Sequence, residues 1–217
     1  MSVSTLFSDA DLQKIRETVA TAESRNAGEI VPYLVGRVDD YEEARWRGAT
    51  LCALLMALLA GAIHSYAGFW GDAMLLWMTL PTMTGVGLGY LLAGLPLVGR
   101  ALLTDDDIDK RVQWRAESAF LEENLFATHE RTGILIFLAI YERRAVILAD
   151  EGINGAVPEG VWRELVDELV SGIHAGRAAD ALCDAIEHCA RVLQEHHVER
   201  HSDDTNELID GLRIRER

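Results

Sequence analysis

Apolar and polar positions follow three different rhythms along this chain. The first is helical: Leu12, Ile15, Val19 and Ala22 share one face behind Ser8, a capping residue, and Asn26 with Gly28 can end the helix. The same rhythm returns after Thr104 and Asp105, Asp106 and Asp107, with Ile108, Val112, Ala116 and Phe120 as the stripe. It recurs behind Pro158, with Val161, Leu165, Leu169 and Ile173 bounded by Gly172 and Gly176, and in Leu182, Ile186, Cys189 and Leu193. The second rhythm is continuous and short. "EIVPYLVG" (29–36), "GILIFLAI" (133–140) and "AVILAD" (145–150) have strand length and are apolar at nearly every position, so both sheet faces need cover. "YERR" joins the last two as a hairpin, and Pro32 predicts an edge position or a bulge in the first.

The third rhythm is continuous and long. Residues 48–71 and 73–99 hold no Asp, Glu, Lys or Arg, and only Asp72 separates them. At about 1.5 Å per residue, each run can cross a hydrocarbon core of roughly 30 Å. Trp46, Tyr66, Phe69 and Trp70 stand near the expected interfaces. Arg45, Arg47 and Arg100 flank the pair, and the turn between the runs lacks Lys and Arg. Both termini and the soluble part are therefore expected in the cytoplasm, at the inner membrane. Small residues recur every four positions: Ala49, Ala53, Ala57 and Gly61 in the first run, Gly85, Gly89 and Ala93 in the second. They predict close packing within the hairpin or a homodimer seam. The spans carry no carboxylate, Lys or Arg for an ion path, and His64 falls near a membrane face, which favours an anchor over a transporter.

The piece before the spans is too small to fold alone. Its strand finds partners only if it joins the later hairpin, making the spans an insertion in a β-to-β crossover. The expected organisation is a first part of one α/β domain over 1–46, a transmembrane hairpin over 47–99, and the second part with a tail over 100–217. Four helices and about three strands suffice for one layered core.

Charge and cysteine content narrow the function. With 35 acidic against 20 basic side chains and a net charge of −15, nucleic acid is excluded as a partner. Cys52, Cys183 and Cys189 make neither a disulfide framework nor a paired-cysteine metal motif, so a reducing compartment is expected. The opening "MSVSTLFSDADLQKIRE" lacks the basic start and apolar stretch of a signal peptide.

The chain resembles the membrane-anchored bacterial branch of the TPM domain family. The likeness is carried by "GEIVPYLVG", "YEEARWRGA" and the two spans, "RVQWRAESAF", "RTGILIFLAIYERRAVILADEGI", "VWRELVDELVSGIHAGR", "DALCDAI" and "DDTNELID". The resemblance implies an α/β/α sandwich at the membrane surface. For the wider family it implies assembly or repair of membrane complexes, accessory roles beside receptors, or weak acid phosphatase activity with bound Ca²⁺. Where that family often has Asp-Asn-Gly before the central strand, this chain has Arg131, Thr132 and Gly133. The exchange removes a carboxylate and argues against metal and phosphatase chemistry there.

Candidate chemistry gathers at expected strand ends: Asp39 and Asp40 after the first strand, Asp150 and Glu151 after the hairpin. Clustered carboxylates suit Ca²⁺, which takes about six to eight oxygens. "DEGING" matches a calcium loop at its first, fifth and sixth positions but has Gly152 at the third and Val161 at the twelfth, so it is no EF-hand. His188, His196, His197, His201, Asp203 and Asp204 match no metal spacing and read as a helix end with favourable dipole contacts. Neither the cysteines nor Ser118, Ser171 and Ser202 stand in a nucleophile motif. The expectation is a non-catalytic, membrane-anchored module that recruits an unidentified membrane protein or assembles a complex. The alternative is a Ca²⁺-dependent phosphatase using Asp39, Asp40, Asp150 and Glu151.

Overall fold

The computed structural model describes residues 7–25, 28–67, 74–128, 131–155, 157–195 and 211–216. It divides into two compact units: the first joins residues 1–39 with 109–217, and the second is 40–108. The second unit thus starts before and ends beyond the expected 47–99, because its helices run past the apolar stretches at both ends.

The first unit is an α/β/α sandwich. Its elements are helix α1 (Asp9–Glu23), strand β1 (Glu29–Val35), most of helix α5 (Asp105–Glu122), and strands β2 (Gly133–Ala139) and β3 (Arg144–Ala149). A short helix α6 (Glu151–Asn154), helices α7 (Glu159–His174) and α8 (Ala178–Glu195), and strand β4 (Arg213–Arg215) follow. Among the described residues the sheet has four strands in the order β3-β2-β1-β4; β1 is parallel to β2 and β4, and β3 is antiparallel to β2. The first strand therefore does join the hairpin across the inserted segment.

Strand alternation sorts the core. Ile30 and Leu34 of β1 and Ile134, Ile136 and Leu138 of β2 face Ile15 and Val19 of α1, Leu165 and Leu169 of α7, and Leu182, Ile186 and Leu193 of α8. The odd-numbered positions face the other way, where Tyr33 stacks on Phe137 at 5.6 Å and α5 reaches the Tyr33 hydroxyl through Arg115 and Glu122. Every residue of β1 and β2 is buried, as cover on both faces requires. At the start of β2, a Cβ on Gly133 would lie 2.5 Å from the Leu125 carbonyl oxygen. Only glycine admits that approach.

Two details differ from the sequence reading. β1 is an interior strand, yet Pro32 is tolerated because the backbone N–H groups of even-numbered positions point toward β4, as that of Gly36, just past β1, does in donating to the Arg215 carbonyl, and β4 pairs only from Tyr33 onward. Pro32 stands one step beyond that ladder. β4 itself was not foreseen: "RIR" is too short to carry a period, and the Arg213 guanidinium fixes it to Glu123 at 2.9 Å. Residues 206–210, which the sequence leaves free to fold back on the domain through Leu208 and Ile209, lie outside the described residues, as do His196, His197, His201, Asp203 and Asp204.

The second unit contains helices α2 (Glu42–Ala67), α3 (Met74–Ala93) and α4 (Pro96–Ala101). α2 and α3 are long and apolar enough to cross a membrane, and only 17% and 11% of their apolar windows are buried. The buried positions are small: Gly48, Ala49, Ala53, Ala60 and Ala93. A Cβ on Gly89 would strike the Gly48 carbonyl oxygen, and one on Gly85 would lie 2.8 Å from the Ala53 Cα. The two ladders thus meet within the hairpin, while Gly61 has open space around it. Large side chains point outward: Leu58 is 72% exposed and Leu91 73%. The hydroxyls of Thr50, Thr79, Thr82 and Thr84 each donate to the carbonyl one turn back, which keeps them satisfied without water. α3 accommodates Pro81 in its interior.

Candidate functional site

The four candidate carboxylates depend on which edge of the sheet each strand reaches. β1 and β2 run the same way, so Asp39 follows β1 beyond its carboxyl end, with Asp40 next in the chain. There Ile140 N–H donates to the Val35 carbonyl and Tyr141 N–H to that of Gly36. β3 runs back, so Asp150 lies at the opposite edge, its N–H donating to the Gly133 carbonyl at 2.9 Å. Along the seven-residue β2 the two edges are about 20 Å apart, at roughly 3.3 Å per residue. The structure does not bring Asp39 and Asp150 together.

At the Asp150 edge, the side chain is 5% exposed and is clasped by Arg131: Nε donates to Oδ2 and a terminal nitrogen to Oδ1, both at 2.9 Å. Oδ1 also accepts the Glu151 N–H at 2.7 Å, making Asp150 the cap of α6, and the Arg131 carbonyl accepts the Gly152 N–H. Hydrogen bonding and charge from Asp150 raise the Arg131 pKa above its ordinary value. Arg131 has φ +56°, a left-handed conformation, so the clasp closes on a conformation rare for arginine. Glu151 points to solvent, 3.9 Å from the same guanidinium. "DEGING" is thus a capped helical turn tied to Arg131.

At the other edge Asp39 forms an ion pair with Arg111 of α5. Beside it stands Glu142, fully buried, whose Oε1 accepts the Val38 N–H at 3.0 Å. The Arg37 guanidinium lies 4.4 Å from the Tyr141 ring centre. On the α5 face, Arg115 donates to the Tyr33 hydroxyl at 2.8 Å and pairs with Glu122 at 3.3 Å. The sequence reading took "YERR" only as the link of the hairpin and assigned Glu142 no role. Its signal was available, because a tight hairpin beside the end of β1 needs an acceptor for the departing backbone.

Asp39 and Asp150 do not share one Ca²⁺ centre. Calcium takes about six to eight oxygens around one point, whereas Asp39 and Asp150 are each engaged by a guanidinium at separate edges. Among the described residues no three His, Cys, Asp or Glu side chains gather as metal ligands. Burial pushes the Cys189 pKa up to about 12 and raises that of Cys183, which disfavours the thiolate form of both.

Residues 101–192 match the family model TPM_phosphatase, described as the TPM domain. That stretch, 92 of the 217 residues, is similar to the TPM domain. The matched stretch runs from the end of α4 into α8, so the Arg131–Asp150 clasp and the β2–β3 hairpin lie inside the TPM match, while β1 and its Asp39 precede it. The fold is also similar to the NMR structure of BA42 protein from the psychrophilic bacterium Bizionia argentinensis. The TM-score is 0.58 at 17% identity, covering 96% of this chain and 95% of that one. That likeness is one of fold. No curated protein matches the chain.

Proposed function

We propose that α2 and α3 hold this chain in the cytoplasmic membrane. Its TPM-like domain then acts there as a non-catalytic module that recruits a membrane protein or helps assemble a membrane complex. The observation that carries the anchor is the inverted packing of the second unit, with leucines outward and glycine and alanine inward. Arg45, Arg47 and Arg100 favour cytoplasmic termini. Recruitment is supported by an exposed stripe on α5, where Trp114 is 77% and Leu121 61% exposed at helical spacing.

Carbonate extraction tests the anchor, and release of the chain into the supernatant would overturn it. A maleimide that cannot cross membranes should label Ser65→Cys, on an otherwise cysteine-free chain, in intact spheroplasts. Labelling only after lysis would reverse the orientation. A photo-crosslinker placed at position 114 should capture the same membrane protein in repeated preparations, and Leu121→Asp should abolish the adduct.

A second reading is Ca²⁺-dependent phosphatase activity, favoured by the name of the matched family model. Phosphate release by the purified chain that depends on Ca²⁺ and fails in Asp150→Asn would establish it; unchanged release in that variant would remove Asp150 from the chemistry.

A further inference from the structure

At the carboxyl end of β2 a cavity of about 400 Å³ opens between the hairpin turn and the last turns of α7, wholly within the first unit. Its size falls within the range of small-ligand pockets, roughly 300–1,000 Å³. Leu138, Ala139, Ile140, Val170 and Ile173 line it with apolar surface, and Arg143, Arg144 and His174 are its remaining lining residues. In a chain with 35 acidic side chains against 20 basic ones, no carboxylate among the described residues lines this pocket. Arg144 is shared with Asp109 at 2.6 Å, but the side chains of Arg143 and His174 make no ion pair or hydrogen bond among the described residues.

Two observations count against a purely structural role for these cations. Basic groups near a helix C-terminus commonly offset its dipole. Here, however, the carbonyls of Ser171, Gly172 and Ile173 already accept backbone N–H groups from Ala175, Arg177 and Gly176. In addition, Arg143 occupies a left-handed turn position, φ +54°, which glycine or asparagine would fill with less strain. The turn holds a long cation where a small residue is the easier choice.

We propose that this pocket binds a small soluble amphipathic anion. Its carboxylate or phosphate head would sit on Arg143 with His174, and a short aliphatic tail would lie on Leu138, Ile140, Val170 and Ile173. The site is distinct from the Arg131–Asp150 edge and does not depend on the membrane reading.

The test is a titration of the full chain in zwitterionic-lipid nanodiscs with hexanoate, following the methyl resonances of Ile140 and Ile173. Saturable shifts are expected with hexanoate, but not with acetate, which lacks the tail, or with hexanol, which lacks the charge. Arg143→Asn, compatible with the left-handed turn, should weaken binding about tenfold. If that variant disturbs the unliganded spectrum, His174→Gln at the exposed helix end supplies the reading, again as weaker binding. Equal responses to hexanol and hexanoate, or none that saturate, would overturn the proposal. The same methyl shifts on adding phosphatidylglycerol to the discs, without solute, would overturn the soluble ligand and assign the head group to the bilayer.

Discussion

The two units use the same apolar residues in opposite ways. In the first, Leu34, Leu135 and Ile136 are wholly buried; in the second, Leu58 and Leu91 stand 72% and 73% exposed while glycines and alanines fill the inside. Burial of large side chains organises the sandwich, and close backbone approach organises the hairpin. Composition alone hides this difference. The sharpest way to break the comparison is a matched pair of truncations read by chemical denaturation in nanodiscs. Leu135→Ala, in the sheet, should cost about 3 kcal/mol, whereas Leu58→Ala should stay within about 0.5 kcal/mol. Comparable losses at both positions would mean that the outward leucines of α2 pack on something within the protein.

A second pair reverses the direction of the change. Gly89 faces Gly48 and Cys52, where an added Cβ has no room; Gly87, two residues away on the same helix, has nothing within 4 Å. Overpacking typically costs about 1–3 kcal/mol. Gly89→Val should therefore destabilise the hairpin by about 2 kcal/mol, and Gly87→Val should be tolerated. The readout is thermal unfolding followed by far-UV circular dichroism. Equal tolerance would mean that the small-residue seam is not what holds the hairpin.

Much of this was legible in the sequence, for reasons tied to period and length. The helices announced themselves through stripes such as Leu165 with Leu169, the two long apolar helices through uncharged length, and the β2–β3 hairpin through two apolar runs around "YERR". The candidate site was legible residue by residue but not as a place. Asp39 and Asp150 both follow strands, which suggested one rim, yet a hairpin reverses direction and sends the end of β3 to the far edge. That reversal could have been deduced from the hairpin. The pairing of Arg131 with Asp150 could not, because it joins residues nineteen apart through a left-handed backbone position that no period marks. β4 escaped for a simpler reason, since three residues show no rhythm.

Titration separates the units further. Cys189, fully buried on α8, has its pKa raised from 9.0 to about 12 because burial disfavours the thiolate. Above pH 9 the unfolded chain releases this proton while the folded chain keeps it, so the folded state binds more protons and stability falls as pH rises. Between pH 9 and the folded pKa the slope attributable to this thiol approaches about 1.4 kcal/mol per pH unit. Denaturation at a series of pH values should show it, and Cys189→Ala should flatten the profile whatever that variant does to overall stability. An unchanged slope would place the alkaline sensitivity elsewhere.

The smallest expected effect lies at a helix start, where the units also differ. α4 of the second unit follows Leu95, which supplies no side-chain cap, whereas α1 begins with a reciprocal box. The Ser8 hydroxyl oxygen accepts the Asp11 N–H at 3.2 Å, and the Asp11 carboxylate accepts the Ser8 N–H at 2.9 Å. Ser8→Ala should cost about 1 kcal/mol, and the Asp11 titration gives that loss a signature. The Ser8 hydroxyl, followed by the Ser8 N–H, lowers the Asp11 pKa below its ordinary 3.8. That contribution is present above the unfolded pKa and disappears as pH falls through the folded one. In Ser8→Ala the hydroxyl is gone and only the backbone donor remains, so the Asp11 carboxyl resonance should titrate at higher pH than in the parent chain. If its midpoint stays where it was, the backbone N–H alone holds the carboxylate, and the serine matters to α1 only through the Asp11 N–H it caps.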